Sequence, residues 1–85
     1  MINNLYILLE LYPNENWNWK EISYNENITW EIISQNFTRS WDWWYISSNK
    51  NITWEIISGN PNKPWNWEGI SCNKNINYLF NFLNC

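Results

Sequence analysis

Asn27-Ile28-Thr29-Trp30-Glu31-Ile32-Ile33-Ser34 returns unchanged as Asn51-Ile52-Thr53-Trp54-Glu55-Ile56-Ile57-Ser58, and these two copies decide how the chain is read. Asn27 or Thr29 offers a side-chain oxygen for an N-cap, and Glu31 then falls in the first turn, where a carboxylate favours the helix dipole. Trp30, Ile33 and Phe37 recur at i, i+3, i+7, with Ile28 and Ile32 four apart beside them. Glu31, Ser34 and Gln35 take the opposite side. That spacing predicts a short amphipathic helix over 28–36. In the second copy the stop signal is Ser58-Gly59-Asn60-Pro61, since proline cannot continue a helix.

Working outward, the same period holds beyond the helix. Trp17, Trp41 and Trp65 are spaced by 24, as are Trp19, Trp43 and Trp67; Ile22, Ile46 and Ile70; Ser23, Ser47 and Ser71; and Asn25, Asn49 and Asn73. A second helix is predicted over 41–49. Asp42 is a good N-cap, and Asn18 and Asn66 hold its place in the other units. Asn18 and Glu21 have the spacing of a capping box. Trp43, Ile46 and Ser47 form the inward stripe. Each unit is thus a hairpin of two helices too short to stand alone in water, so they must stack. The expected fold is all-α: a short α-solenoid of about three and a half 24-residue hairpins in one domain, 1–85, with units 4–27, 28–51 and 52–75 and a partial unit 76–85. A strand reading competes at Trp17-Asn18-Trp19 and Trp41-Asp42-Trp43, which alternate with period 2. The caps, the proline stops and the helical spacing weigh against it.

Composition supports a packed array. The chain has 85 residues, 20% aromatic, with nine tryptophans, and each aromatic can bury roughly 150–250 Å². Asparagine is abundant and alanine and valine are absent. Asn, Ile, Lys, Tyr and Phe share AT-rich codons, which tryptophan does not. Tryptophan that returns on schedule reads as packing. The net charge of −3 is scattered, so the basic footprint of a nucleic-acid binder is missing. The apolar run Leu5 to Leu9 is too short for a membrane span or a signal peptide. Cys72 and Cys85 could pair, and the expectation is free thiols in a chain that is not secreted. The sequons at Asn27, Asn36 and Asn51 read as turn and capping residues.

Catalytic chemistry finds no foothold. There is no histidine to serve a serine or cysteine nucleophile or to complete a zinc site. No glycine-rich phosphate loop exists. Ser23, Ser47 and Ser71 recur with the packing positions. Glu31 and Glu55 fit the first-turn dipole role. No catalytic, cofactor or metal residue is assigned, and the chain reads as a non-enzyme.

Comparison of the units separates frame from surface. The variable sets on the second helix are Lys20/Trp44/Glu68, Glu21/Tyr45/Gly69 and Tyr24/Ser48/Cys72, expected on the solvent side. Trp44 and Tyr45 are aromatics that the period does not impose, so with Lys20 and Tyr24 they are the candidate partner-binding residues. The outward positions of the first helix are polar in the middle units but become Ile7 and Leu11 near the start and Leu79, Phe82 and Leu83 near the end. Those apolar replacements suggest self-association or docking through the end helices.

The strings Asn27 to Ile33, Asn51 to Ile57 and Asn60-Pro61-Asn62-Lys63-Pro64-Trp65-Asn66-Trp67 resemble a family of tryptophan- and asparagine-rich tandem repeats of giant DNA viruses of amoebae. The resemblance covers residues 4–75 well and 76–85 loosely, and departs at Phe37, where the other units have proline. It implies a viral origin and a host-cytoplasm or virion location, and it brings no activity. The expected function is a protein–protein interaction or scaffold module, with no membrane or nucleic-acid partner. The alternatives are a virion assembly component docking through its end helices and an aromatic-surface glycan binder.

Overall fold

Side-chain oxygens that take over backbone N–H groups set where each helix after the first begins. The computed structural model describes residues 4–76 and 85. Among these residues there are six short α-helices and no strand: α1 (Asn4–Leu11), α2 (Trp19–Tyr24), α3 (Trp30–Ser34), α4 (Trp43–Ser48), α5 (Trp54–Gly59) and α6 (Trp67–Ser71). Thr29 Oγ1 accepts from Ile32 N and Thr53 Oγ1 from Ile56 N, each at 3.3 Å. Asn18 caps through Glu21 N at 3.2 Å and Asn66 through Gly69 N at 3.0 Å, while Asp42 accepts from both Trp44 N and Tyr45 N. Every one of these caps is extended. The period-2 alternation around Trp17, Trp41 and Trp65 therefore has a real source, an extended entry into a helix. The helices are one to two turns, shorter than the hydrophobic spacing suggested, because the flanking residues are spent on caps and turns.

The other end of the first helix is fixed by an asparagine and an indole. Asn36 Nδ2 donates to Ile32 O and Asn60 Nδ2 to Ile56 O, both at 2.7 Å. Trp41 Nε1 then donates to Asn36 O, and Trp65 Nε1 to Asn60 O, at 2.8 Å. Trp17 Nε1 does the same to Tyr12 O at 3.0 Å. Orphan carbonyls at a helix end are thus satisfied from within each hairpin.

Between hairpins, α2 packs on α4 and α4 on α6. The fully buried side chains there are not the tryptophans but Ile28, Ile33, Ile46, Ile52, Ile70 and Ile76, with Ser23, Ser47, Asn49 and Asn73. Ser23 Oγ accepts from Asp42 N at 2.9 Å, and Ser47 Oγ from Asn66 N at 3.0 Å. Asn49 Nδ2 donates back to Ser23 O and Asn25 O, at 2.9 and 3.1 Å. Asn73 Nδ2 donates to Ser47 O, Asn49 O and Ile52 O, at 2.8–3.0 Å. The Oδ1 atoms of Asn25, Asn49 and Asn73 accept from the backbone N–H two residues on. Alongside, Asn51 Nδ2 donates to Glu26 O and Ile28 O, and Asn75 Nδ2 to Lys50 O. These bonds explain why the sequons sit where they do: the Asn36 and Asn51 amides are engaged with backbone, as turn and capping residues are. No buried side-chain N or O among the described residues lacks a partner.

The indoles flank this interior. Trp41 is 7% exposed. Trp19 and Trp43 are half-buried and are met edge-on by Trp41 and Trp65 respectively, with centroids 5.1 and 5.3 Å apart. Trp67 departs from the expected packing role, with 59% of its surface exposed. Trp54 is one of its ring neighbours, at 6.5 Å. A second correction concerns the cysteines, which are not free: Cys72 and Cys85 form a disulfide. Their Cα atoms are 4.6 Å apart, within bridging range. No helix among the described residues is long and apolar enough to cross a membrane.

Removing the Asn73 carboxamide strips a donor from three carbonyls next to a wholly buried site. Asn73→Ala is expected to cost about 2–4 kcal/mol, the scale of unsatisfied buried acceptors. Asn73→Asp should cost more, since a carboxylate would face carbonyl oxygens. Urea unfolding checks both, with exposed Asn62→Asp as a control expected within about 0.5 kcal/mol of the parent. Reducing the bridge, which spans a sequence separation of 13, should lower stability by about 2–4 kcal/mol. Calorimetry with and without dithiothreitol reads this, and Cys72→Ser should be unresponsive to the reductant.

Candidate functional site

Some of the non-repeating side chains of α2 and α4 come together at one groove. Three of the four candidate residues on these helices meet there. Lys20, Tyr24 and Tyr45 line a groove of about 420 Å³ together with Asn18, Glu21 and Asn25. Tyr24 comes from the last turn of α2 and is 50% exposed. Tyr45 comes from the first turn of α4 and meets Tyr24 edge-on at 6.1 Å. Trp44 is not part of the lining. Its ring lies against Tyr45 at 5.0 Å, so it buttresses the groove wall. Leu79, Phe82 and Leu83 lie outside the described residues.

A second groove of about 310 Å³ shares Tyr24 and adds Glu26, Ser48, Lys50 and Lys74. Lys50 Nζ lies 3.3 Å from Glu26 Oε2, with both side chains largely in solvent. An exposed pair of that kind contributes little stability. Glu26, Lys50 and Lys74 were missed as site residues by the sequence reading. They occupy one register position, and its change from Glu to Lys was a visible signal of a surface place.

The expectation that all variable second-helix positions face solvent needs correction. Ser48 and Gly69 are buried. The reason is that α4 lies between α2 and α6, so both of its flanks are covered. A Cβ on Gly69 would stand 2.4 Å from Trp44 O and 2.9 Å from Ser47 Cβ. Glycine at this position lets α6 come directly against the α4 backbone, whereas Tyr45, its register mate, projects toward Tyr24.

Elsewhere the chain offers little chemistry. No group of three or more potential metal ligands occurs among the described residues. The Tyr6 phenol on α1 is pushed above its ordinary pKa, first by a hydrogen bond with Glu10, then by desolvation and the charges of Glu10 and Glu31. It lies apart from both grooves. Comparison with known proteins gives no guide: no family model, curated protein or solved structure matches the chain.

Because the close approach is to a backbone oxygen, Gly69→Ala should destabilise the fold by about 1–3 kcal/mol despite alanine's better helix propensity. Gly59→Ala meets nothing within 4 Å and should be neutral or stabilising by up to about 1 kcal/mol. Parallel denaturant titrations of the two variants check the contrast.

Proposed function

We propose that this chain is a non-enzymatic protein–protein interaction module, an α-solenoid of stacked helical hairpins of viral origin. The observation that carries the reading is the Tyr24–Tyr45 groove. Its aromatics stand at positions that the repeat leaves variable, while the positions it fixes are spent on caps, on the buried isoleucines and on the asparagine bonds. Half-exposed tyrosines beside an ammonium group and amides suit a protein contact, since they supply large rigid area at low entropic cost.

A second reading, a virion assembly component docking through its end helices, is favoured by α1. Ile7, Leu8 and Leu11 on that helix and Tyr12 after it are 40%, 42%, 65% and 52% exposed. The Cys72–Cys85 bridge suits an oxidising setting, of which a virion surface is one, better than a reducing cytoplasm.

Affinity capture from infected cells with the parent chain and a Tyr24→Ala/Tyr45→Ala variant tests the main reading. A specific protein should be recovered by the parent and reduced at least tenfold with the variant. Equal recovery by both would overturn the groove as the binding site. A positive glycan array abolished by the same variant would replace the protein partner with a carbohydrate.

A further inference from the structure

The chain carries a net charge of −3, yet three of its five cationic side chains line two grooves that share Tyr24. Lys20 borders the larger groove, and Lys50 and Lys74 border the smaller. The other two cations are engaged elsewhere: Arg39 donates to Pro13 O and Leu9 O, and Lys63 lies over the Phe37 ring. Lys50 meets Glu26 at 3.3 Å, while Lys20 and Lys74 make no ion pair among the described residues. The repeat produces this imbalance. Asn75 Nδ2 donates to Lys50 O as Asn51 Nδ2 donates to Glu26 O. The step that sets Lys50 beside Glu26 therefore sets Lys74 beside Lys50, and two ammonium groups share one groove with one carboxylate. Glu21, the acid of the larger groove, stands in the first turn of α2, where the helix dipole favours it.

We propose that the occupant of these grooves is an acidic protein segment. It sets an apolar or aromatic side chain on the Tyr24–Tyr45 pair and a nearby carboxylate between Lys50 and Lys74. A carboxylate there relieves the like-charge contact, which an apolar or basic segment cannot do. The half-exposed tyrosines supply the contact area beside it. The rest of the molecule favours a short acidic segment over a long polyanion. Glu10, Glu15, Glu31, Glu55 and Glu68 are exposed and belong to neither groove. A nucleic acid or an anionic membrane that extends past the lysines therefore meets like charge. This inference rests on the Tyr24–Tyr45 groove being the partner site, as read above, and names the chemistry that the partner brings to it.

Panning a phage library of random dodecapeptides against the full chain tests it, with the enriched peptides then measured by fluorescence anisotropy. Enriched peptides should carry aspartate or glutamate close to an aromatic residue or leucine. Tyr24→Ala/Tyr45→Ala and Lys74→Glu should each weaken the best peptide about tenfold or more. Replacing that peptide's carboxylate with lysine should restore at least half of the loss against Lys74→Glu. Glu26→Gln, which frees Lys50, should tighten binding about threefold. Lys74→Glu and Glu26→Gln alter exposed side chains, and both should unfold in urea as the parent does. Peptides enriched without acidic residues, and lost with the tyrosine variant, would leave the groove as the partner site and overturn its acidic occupant. No enrichment, or peptides indifferent to the tyrosines and to Lys74, would overturn both. Oligothymidine or phosphatidylserine vesicles bound with the same Lys74 dependence, where peptides are not, would overturn the protein segment in favour of nucleic acid or lipid.

Discussion

One carboxamide, that of Asn73, hydrogen-bonds to the backbone of the preceding unit at Ser47 and Asn49 and to that of its own unit at Ile52. Its two hydrogens are shared among three carbonyl oxygens, so one of them is bifurcated, and its oxygen accepts from Asn75 N. No other side chain of that size could do this: aspartate has no donor, and leucine has neither donor nor acceptor. Asn49 makes two of these three donations and the same acceptance one unit earlier, while Asn51 Nδ2 donates to Ile28 O. Helices of five to eight residues leave most of their backbone groups unsatisfied at the ends. Stacking such helices would bury those groups at heavy cost. The serine and asparagine sets meet that demand, and they let isoleucine close the space between.

The tryptophans then have a narrower part than their number suggests. An indole N–H secures the end of the preceding helix, and the rings cover the flank of the stack with edge-to-face contacts worth about 0.5–1.5 kcal/mol each beyond their burial. A flank role tolerates exposure, which an interior role does not. Trp67 therefore stands largely in solvent without leaving a buried polar group unpaired.

Much of this was legible in the sequence. The helical class, the caps Thr29, Asp42, Asn18 and Asn66, and the polar outer side of α3 and α5 follow from local rules in which a side chain bonds to its own neighbourhood. Lys20, Tyr24 and Tyr45, singled out by their variation between units, line one groove. What escaped the reading depends on chain segments a whole repeat apart. Nothing local distinguishes Asn49, which is buried, from Asn62, which is exposed. Codon bias also offered an explanation for asparagine that hid its structural use. The close seat of Gly69 against Trp44 O likewise arises only once α6 packs on α4.

Hydrogen exchange by NMR at the amides of Asp42 and Asn66, which donate to Ser23 Oγ and Ser47 Oγ a unit earlier, tests the central claim most directly. Neither lies in a helix, so local rules would have them exchange quickly. If Ser23, Ser47, Asn49 and Asn73 join the hairpins as described, these amides exchange only as fast as the whole molecule unfolds. Exchange at loop rates while α4 and α6 stay protected would show that the hairpins are held together by something else.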